Sequence, residues 1–239
     1  MKSSFAPYRD ELFISTKAGH DMWPGPYGNW GSRKHLMASL DQSLKRMNLD
    51  YVDVFYSHRY DPETPLEETL QALVDIVRKG KALYVGLSKY PLDAYLFASR
   101  YLKERDVPCL LYQGRYSMLV REPESQGILN AVKENGSGFV AFSPLAQGLL
   151  TNRYLNGIPD NSRIARGGFL KKEALTPEVL SKIQALNERA AMRGQSLAEM
   201  ALAWLLKNET VTSVIVGASS VEQLGDSLKT LNHLSFEEE

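Results

Sequence analysis

The sequence predicts an α/β protein in which parallel strands alternate with helices. Two observations predict this class: short apolar runs rich in β-branched and aromatic residues recur along the chain, and helical patterns lie between them. Strands buried on both faces of a parallel sheet read as such continuous runs. The 239 residues contain no low-complexity tract and no Pro- or Ser-rich linker. We therefore expect a single domain over residues 1–239 with about six strand-helix units.

Six runs of five to seven residues are predicted as strands. They are LFIST (12–16), YVDVFYS (51–57), ALYVGLS (82–88), CLLYQ (109–113), FVAFS (139–143) and VTSVIVG (211–217). A closed (β/α)8 barrel needs eight strands. On this alternation alone, a doubly wound sheet is favoured over a barrel.

Two helices are predicted after the first two strands. Their apolar residues recur at helical spacing, namely Leu36, Leu40, Leu44 and Met47 in the first, and Leu66, Leu70, Leu73, Val74 and Val77 in the second. Ser32 is a plausible N-cap for the first helix, and Gly80 suits the C-terminus of the second.

Two further helices are predicted before the last strand. Thr176 followed by Pro177 has the pattern of a helix N-terminus, and Ser196 with Glu199 has that of a capping box. The preceding stretch, 151–176, mixes Gly, Pro, Asn and basic residues without a period and is predicted as a long loop.

Composition favours a small-molecule or protein partner. Lys+Arg and Asp+Glu number 28 each, so net charge gives no attraction to nucleic acid or an anionic membrane. The apolar runs are far shorter than the roughly 20 residues that span a bilayer, and the first residues lack an apolar signal core. We expect a cytoplasmic protein. The single Cys109 is expected to be an inert core thiol.

Two candidate catalytic residues lie where predicted strands end. Lys17 follows the first strand and His58 the second, and the carboxyl ends of parallel strands converge on one face. By position alone, Lys17 could equally be a solvated strand end. The remaining histidines, His20, His35 and His233, are scattered, so a metal site has little support.

Other catalytic motifs are not matched. The segment GPYGNWGS (25–32) fits neither G-x-G-x-x-G nor a P-loop, and it is predicted as a plain loop. No strand is followed by the G-x-S-x-G elbow of a Ser-His-Asp hydrolase.

An ordered set of motifs resembles the aldo-keto reductases. It runs IST-Lys17, YVDVFYS-His58, YVGLS, Tyr112-Gln113, AFSPLAQGLLT and VIVGAS. The segments STKAGHDMWPGPYG, TPLEETL, SPLAQGLLTNRYLNGIP and VGAS-x-x-EQL are similar to the branch with bacterial glyceraldehyde 3-phosphate and methylglyoxal reductases and potassium-channel β subunits. The resemblance covers nearly the whole chain.

The resemblance implies an incomplete TIM barrel. It identifies the six strands as the third to eighth of a (β/α)8 barrel, with the chain truncated at both ends. The family reduces aldehydes or ketones with NADPH, using Tyr as acid, a Lys, an Asp that pairs the Lys, and a carbonyl-orienting His. Lys17 and His58 match two of these positions, and no residue matches the Tyr or the Asp.

The resemblance therefore implies three alternatives for function. In the first, the full-length parent reduces small aldehydes such as glyceraldehyde 3-phosphate or methylglyoxal, while this chain alone is inactive. In the second, the chain is a cofactor-binding regulatory subunit without turnover, similar to the channel β subunits. In the third, it is a decayed remnant. Exposed barrel edges would favour a homo-oligomer.

The family pattern assigns cofactor positions along the chain. Ser88 and Gln113 match residues that hold the nicotinamide carboxamide, and Phe142 matches the aromatic that stacks on its ring. The diphosphate loop is matched by Ser143, Leu145, Gln147, Gly148 and Arg153, and the adenosine phosphate site by Gly217, Ser219 and Gln223. The implied cofactor is NADP(H). Ser220 and Gln223 also have the spacing of a capping box.

The family pattern also places Trp23, Tyr27 and Arg59 at the mouth of the substrate pocket, where Arg59 would meet a phosphate or carboxylate. Three positions depart from the pattern. Lys89 and Ser227 stand where Asn is usual, and Ser220 where many members have an Arg for the 2′-phosphate.

Overall fold

A computed structural model describes residues 4–155, 157–159, 167 and 170–236. Its centre is an all-parallel six-stranded sheet whose strands lie in the order β1-β2-β3-β4-β5-β6. The strands are β1 (Ser15–Ala18), β2 (Val52–Ser57), β3 (Ala82–Ser88), β4 (Cys109–Arg115), β5 (Gly138–Phe142) and β6 (Val211–Val214). In a doubly wound sheet the order of the strands reverses at a switch point. Here the strands follow their order in the chain from one edge of the sheet to the other. The order therefore fits part of a TIM barrel and corrects the preference drawn from alternation alone.

The first strand begins three residues later than predicted. The Ile14 backbone N–H donates to the Asp53 carboxylate at 2.6 Å and not to a backbone carbonyl, while the Ile14 carbonyl still accepts the N–H of Asp53 at 2.8 Å. Pairing with β2 starts at Ser15, opposite Val54. Phe13, predicted to lie in the strand, is 60% exposed. The last strand is also shorter than predicted, because regular pairing ends at Val214.

Eight α-helices are present among the described residues. They are α1 (Arg33–Met47), α2 (Leu66–Arg78), α3 (Leu92–Lys103), α4 (Glu122–Ser125), α5 (Ile128–Glu134), α6 (Pro177–Met192), α7 (Leu197–Leu206) and α8 (Val221–Lys229). The predicted N-caps at Ser32, Thr176 and Ser196 are confirmed, since each side chain accepts a backbone N–H from the first helical turn. Gly80 has φ 68°, the left-handed conformation typical of a residue that follows a helix.

The predicted loop 151–176 contains two short 3₁₀ turns, Asn152–Tyr154 and Lys172–Ala174. Residues 156, 160–166 and 168–169 of this stretch lie outside the described residues. Tyr154 is fully buried in an apolar cluster with Leu150, Ile183 and Leu197. The described part of the loop is thus anchored to helices α6 and α7.

The chain folds into two compact units, residues 1–114 with 126–139, and residues 115–125 with 140–239. In the first unit, Leu36, Phe55, Leu70 and Leu87 are completely buried between helices and sheet. Cys109 is buried there, as predicted for a core thiol, and burial raises the pKa of the thiol to about 12. Among the described residues, no helix is long and apolar enough to cross a bilayer.

Candidate functional site

Lys17 lies at the carboxyl end of β1, one residue before the strand's last residue. It pairs with Tyr56, which in turn pairs with Gly86. Register partners in a parallel sheet point to the same face, so these three positions share the face on which the candidate site forms. The Lys17 ammonium donates a hydrogen bond to the Gln113 side-chain oxygen at 2.8 Å.

The Lys17 side chain is half-buried in this position. Burial lowers the pKa of its amine below the ordinary value, and the positive charge of Lys89 lowers it further. The Lys17 amine is consequently easier to deprotonate than that of a surface lysine.

His58 directly follows β2, and its backbone N–H donates to the carbonyl of Ala18 at 2.9 Å. This bond continues the pairing between the first two strands by one residue and holds His58 beside the end of β1. Among the described residues, neither ring nitrogen of His58 makes a hydrogen bond. The His20 ring packs edge-on against it instead, with centroids 4.4 Å apart and an interplanar angle of 89°.

The imidazole of His58 is neutral at pH 7. Burial is the main cause and lowers its pKa to about 4, with the charge of Lys17 as the next contribution. A neutral imidazole carries one N–H donor and one acceptor nitrogen. It can therefore donate a hydrogen bond to a carbonyl oxygen without carrying charge.

Ser88 and Gln113 form the other side of this cluster. They are register partners at the ends of β3 and β4, and both are buried. The Ser88 hydroxyl makes no hydrogen bond with any described residue. A buried hydroxyl without a partner is costly unless a ligand satisfies it. A carboxamide, with its two donors and one acceptor, has the chemistry to fill this position, so these residues fit a nicotinamide group.

The three predicted substrate-mouth residues lie on loops around the cluster. Trp23 packs against the His35 ring with centroids 5.1 Å apart, and Tyr27 is 47% exposed. Arg59 is already engaged, because its Nε donates to the Gly19 carbonyl at 2.8 Å and its Nη2 donates to Asn29 at 2.9 Å. Its role is thus partly to hold the loops in place.

In the second unit, the loop after β5 has an unusual backbone. Ser143, Ala146 and Gln147 all have positive φ, at 54°, 47° and 62°. Gly148 donates its N–H to the Leu145 carbonyl at 2.8 Å, so this predicted phosphate donor is used within the loop. The Gln147 amide donates to the Ser143 hydroxyl at 3.2 Å. The sharp turn is therefore stabilised by its own residues.

The remaining predicted cofactor residues of this unit differ in setting. Phe142 ends β5 and is partly buried, whereas Arg153 is exposed on a 3₁₀ turn. Gly217 and Ser219 are exposed ahead of α8.

The start of α8 has one of the two hydrogen bonds of the expected capping box. The Ser220 hydroxyl accepts the N–H of Gln223, as predicted. The reciprocal bond is shifted by one residue, because the Gln223 side-chain oxygen accepts from the backbone and hydroxyl of Ser219, both at 2.9 Å. Ser227 donates to the Gln223 carbonyl at 3.0 Å. Gln223 therefore orders the turn that precedes the helix.

Sequence reasoning missed two residues of the cluster. His20 is not among the predicted site residues, yet its ring contacts that of His58. Lys89 is likewise not among the predicted site residues, yet its charge lowers the pKa of Lys17 and it has a left-handed φ of 55°. Asn tolerates that conformation better than Lys does.

Comparison with known proteins identifies relatives along the whole chain. A sequence model described as "Aldo/keto reductase family" matches residues 1–239. The chain is 55% identical over 244 residues to an "L-glyceraldehyde 3-phosphate reductase" of Escherichia coli O157:H7, covering 100% of this chain and 70% of that protein. The protein of the same name from Escherichia coli strain K12 is 54% identical over 241 residues, covering 99% and 69%.

A second kind of relative has a different name. A "Probable voltage-gated potassium channel subunit beta" of Arabidopsis thaliana is 36% identical over 230 residues, covering 94% of this chain and 69% of that protein. Reductases and channel subunits are thus both found among proteins similar to this chain.

Proposed function

The chain belongs to the aldo/keto reductase family, and from this premise we propose that it is part of an NADPH-dependent reductase of small aldehydes. The observation that carries the proposal is the hydrogen bond from Lys17 to Gln113 beside the Ser88 hydroxyl, which has no partner among the described residues. His58 completes the set at the adjoining strand end. These residue types suit a carbonyl and a carboxamide bound side by side.

Each of the four residues has a defined part in this proposal. NADPH, when bound, supplies the hydride. Ser88 and Gln113 hold the nicotinamide carboxamide, which would give the buried Ser88 hydroxyl its missing partner. His58, neutral at pH 7, donates a hydrogen bond to the aldehyde oxygen. Protonated Lys17 stabilises negative charge that develops on that oxygen.

Low turnover is part of the proposal. Lys17 donates its hydrogen bond to the amide of Gln113 rather than to a tyrosine hydroxyl. A positioned acid typically contributes 10²–10⁴-fold in rate. We therefore expect the 239-residue chain alone to bind NADPH and to reduce aldehydes slowly at best.

The names of the relatives support the proposed substrate class. Both Escherichia coli proteins carry the name of an L-glyceraldehyde 3-phosphate reductase. Small aldehydes of this type, with methylglyoxal as a simple representative, are accordingly the proposed substrates. A cytoplasmic location and a homo-oligomer that covers the sheet edges remain predictions.

The test is a fluorescence titration of the purified chain with NADPH, followed by addition of methylglyoxal or glyceraldehyde 3-phosphate at high protein concentration. Saturable binding with little turnover supports the proposal. Turnover at the level of an intact reductase would contradict the expectation that the chain reduces aldehydes slowly without a positioned acid. Absence of NADPH binding by the folded protein would contradict cofactor use. His58→Ala is the matched variant, because it should remove residual turnover while leaving NADPH binding intact.

A variant separates slow reduction from a purely regulatory role. If residual turnover is real, His58→Ala abolishes it. If the same residual turnover persists in His58→Ala, it does not come from this site. A cofactor-binding subunit without catalysis then becomes the better account.

A further inference from the structure

Beyond the regular ends of β1 and β2, a side chain continues the pairing that the backbone begins. The His58 N–H donates to the Ala18 carbonyl at 2.9 Å. The following carbonyl, that of Gly19, accepts a hydrogen bond from the Arg59 side chain, whose Nε lies 2.8 Å away. Arg59 therefore fixes the peptide group that connects Gly19 to His20.

Arg59 also contacts the loop after β1 at two further points. Its Nη2 donates to the Asn29 side-chain oxygen at 2.9 Å, and its guanidinium carbon lies 3.6 Å from the centre of the Trp30 ring. The same Asn29 oxygen accepts the Trp30 backbone N–H at 2.8 Å. One guanidinium can make all these contacts because its donors form a rigid planar fork and its face stacks on aromatic rings.

Trp30 has a left-handed backbone conformation, with φ 68°. A bulky residue rarely adopts this conformation, and it persists where surrounding contacts enforce it. Arg59 contacts the Trp30 ring, and the next residue, Gly31, donates its N–H to the Asp61 carboxylate at 2.8 Å. Both Arg59 and Asp61 lie just after β2. The loop after β1 is thus held in a strained conformation by residues that follow the neighbouring strand.

The peptide group that Arg59 holds leads directly to His58. On one side of it, Gly19 lies so close to His58 that a Cβ at position 19 would be 3.1 Å from the His58 Cβ. On the other side, the His20 ring packs edge-on against the His58 ring with centroids 4.4 Å apart. His58 is therefore flanked by two residues whose shared peptide group is fixed by Arg59.

We propose that Arg59 is a positioning residue that fixes the orientation of the His58 ring through Gly19 and His20. The proposal rests on the proposed function in one respect, because there the oriented His58 donates a hydrogen bond to the aldehyde oxygen. Such a donor is effective only when it points at the place where charge develops. The orientation itself is a property of the chain without cofactor or substrate, so it can be measured separately.

Arg59→Lys tests the proposal by NMR of the isotopically labelled imidazoles in the intact chain without NADPH. The charged or titratable groups that act on His58 are Lys17, His20, Lys89 and Arg59. Lysine keeps the charge at position 59, but its ammonium is compact and cannot replace the fork and the stacked face together. We therefore expect loss of the nuclear Overhauser effect between the His20 and His58 rings. The His58 pKa should also rise from about 4 by at least about one pH unit, because water reaches the ring.

Two further variants complete the test. Arg78→Lys is the matched control, because Arg78 also donates to a backbone carbonyl, that of Arg105 at 3.3 Å, but lies at the last residue of α2. This control should leave the His58 signals unchanged. Asn29→Ala removes an acceptor of Arg59 and keeps Arg59 itself, so it should change the same signals less than Arg59→Lys does. Urea unfolding verifies that each variant is folded.

The outcomes separate this proposal from the reductase proposal. A folded Arg59→Lys chain that keeps both the contact between the two imidazoles and the wild-type His58 pKa would overturn the positioning role. Equal changes in Arg78→Lys would overturn it as well. NADPH titration of the same samples reports on the reductase proposal alone. If the wild-type chain fails to bind NADPH, the reductase proposal fails, and the NMR comparison still decides whether Arg59 positions His58.

Discussion

Gly19 lies against His58 so closely that a Cβ at position 19 would stand 3.1 Å from the His58 Cβ. Gly19 also has φ 144°, a conformation that residues with a side chain rarely adopt. The glycine therefore permits β1 to end directly beside His58. Its carbonyl accepts the bond from Arg59, so the same residue holds the loop.

Replacing Gly19 by Ala should destabilise the chain by about 1–3 kcal/mol, because the substitution combines backbone strain with the close approach to His58. The change is measured as the free energy of unfolding in urea. Gly225→Ala is the control, since Gly225 lies in α8, has no positive φ and has open space around its Cβ position. That variant should be neutral or stabilising by up to about 1 kcal/mol. Equal effects of the two changes would contradict this account.

His58 should titrate far below an ordinary histidine, with a pKa of about 4. The pKa of His58 is lower in the folded than in the unfolded chain, so protonation of His58 favours unfolding. The contribution of neutral His58 to the free energy of unfolding is fully present above about pH 6.5 and is lost as the pH falls toward 4. Two-dimensional NMR of the imidazole measures the value. Lys17→Met should raise the His58 pKa, because it removes the positive charge that ranks after burial among the causes. A His58 pKa near 6.5 in the wild-type chain would refute its burial.

Asp61 organises the loop after β2 and gives a second pH prediction. Its carboxylate accepts hydrogen bonds from the N–H groups of Gly31 and Glu63 and from the Thr64 hydroxyl. Burial alone would raise its pKa, but these hydrogen bonds outweigh burial and lower it. The stability that this lowered pKa provides is present above about pH 4 and is lost as the pH falls through the folded-state value.

Asp61→Ala should cost about 1–3 kcal/mol of unfolding free energy at pH 7, because it leaves donors of Gly31 and Thr64 without their acceptor. The cost should shrink in acid, where the wild-type carboxylate is protonated. Glu63→Gln is the control, because the Glu63 side chain is exposed and Asp61 accepts only its backbone N–H. A cost that stays constant from pH 7 to pH 2 would show that the carboxylate charge is irrelevant.

The predictable parts of the fold were those fixed by local chemistry. The cap at Thr176 and the capping box at Ser196 depend on a few adjacent residues, and the structure has them as predicted. The start of β1 depended on a distant residue, since Asp53 accepts the Ile14 N–H. Spacing along the chain could not show this. The sequential strand order was likewise beyond alternation alone and came from the family resemblance.

The site could be predicted only in part for the same reason. Lys17, His58, Ser88 and Gln113 were identifiable from family motifs, but their roles stay predictions. The contact of His20 with His58 arises from a loop whose path no local pattern encodes. Residues placed by loop geometry are therefore the ones that sequence reasoning missed.

The most direct test of the cofactor proposal uses Ser88. Its hydroxyl is buried without a partner among the described residues, so Ser88→Ala removes a costly polar group and should leave the unfolding free energy unchanged or increased. The same change should weaken NADPH binding about fivefold to twentyfold, because it removes one hydrogen bond to the carboxamide. Both quantities are measured on one preparation, by NADPH fluorescence titration and urea unfolding. Weaker binding at full stability is the predicted result, whereas unchanged NADPH affinity would contradict the assignment of this site to the nicotinamide.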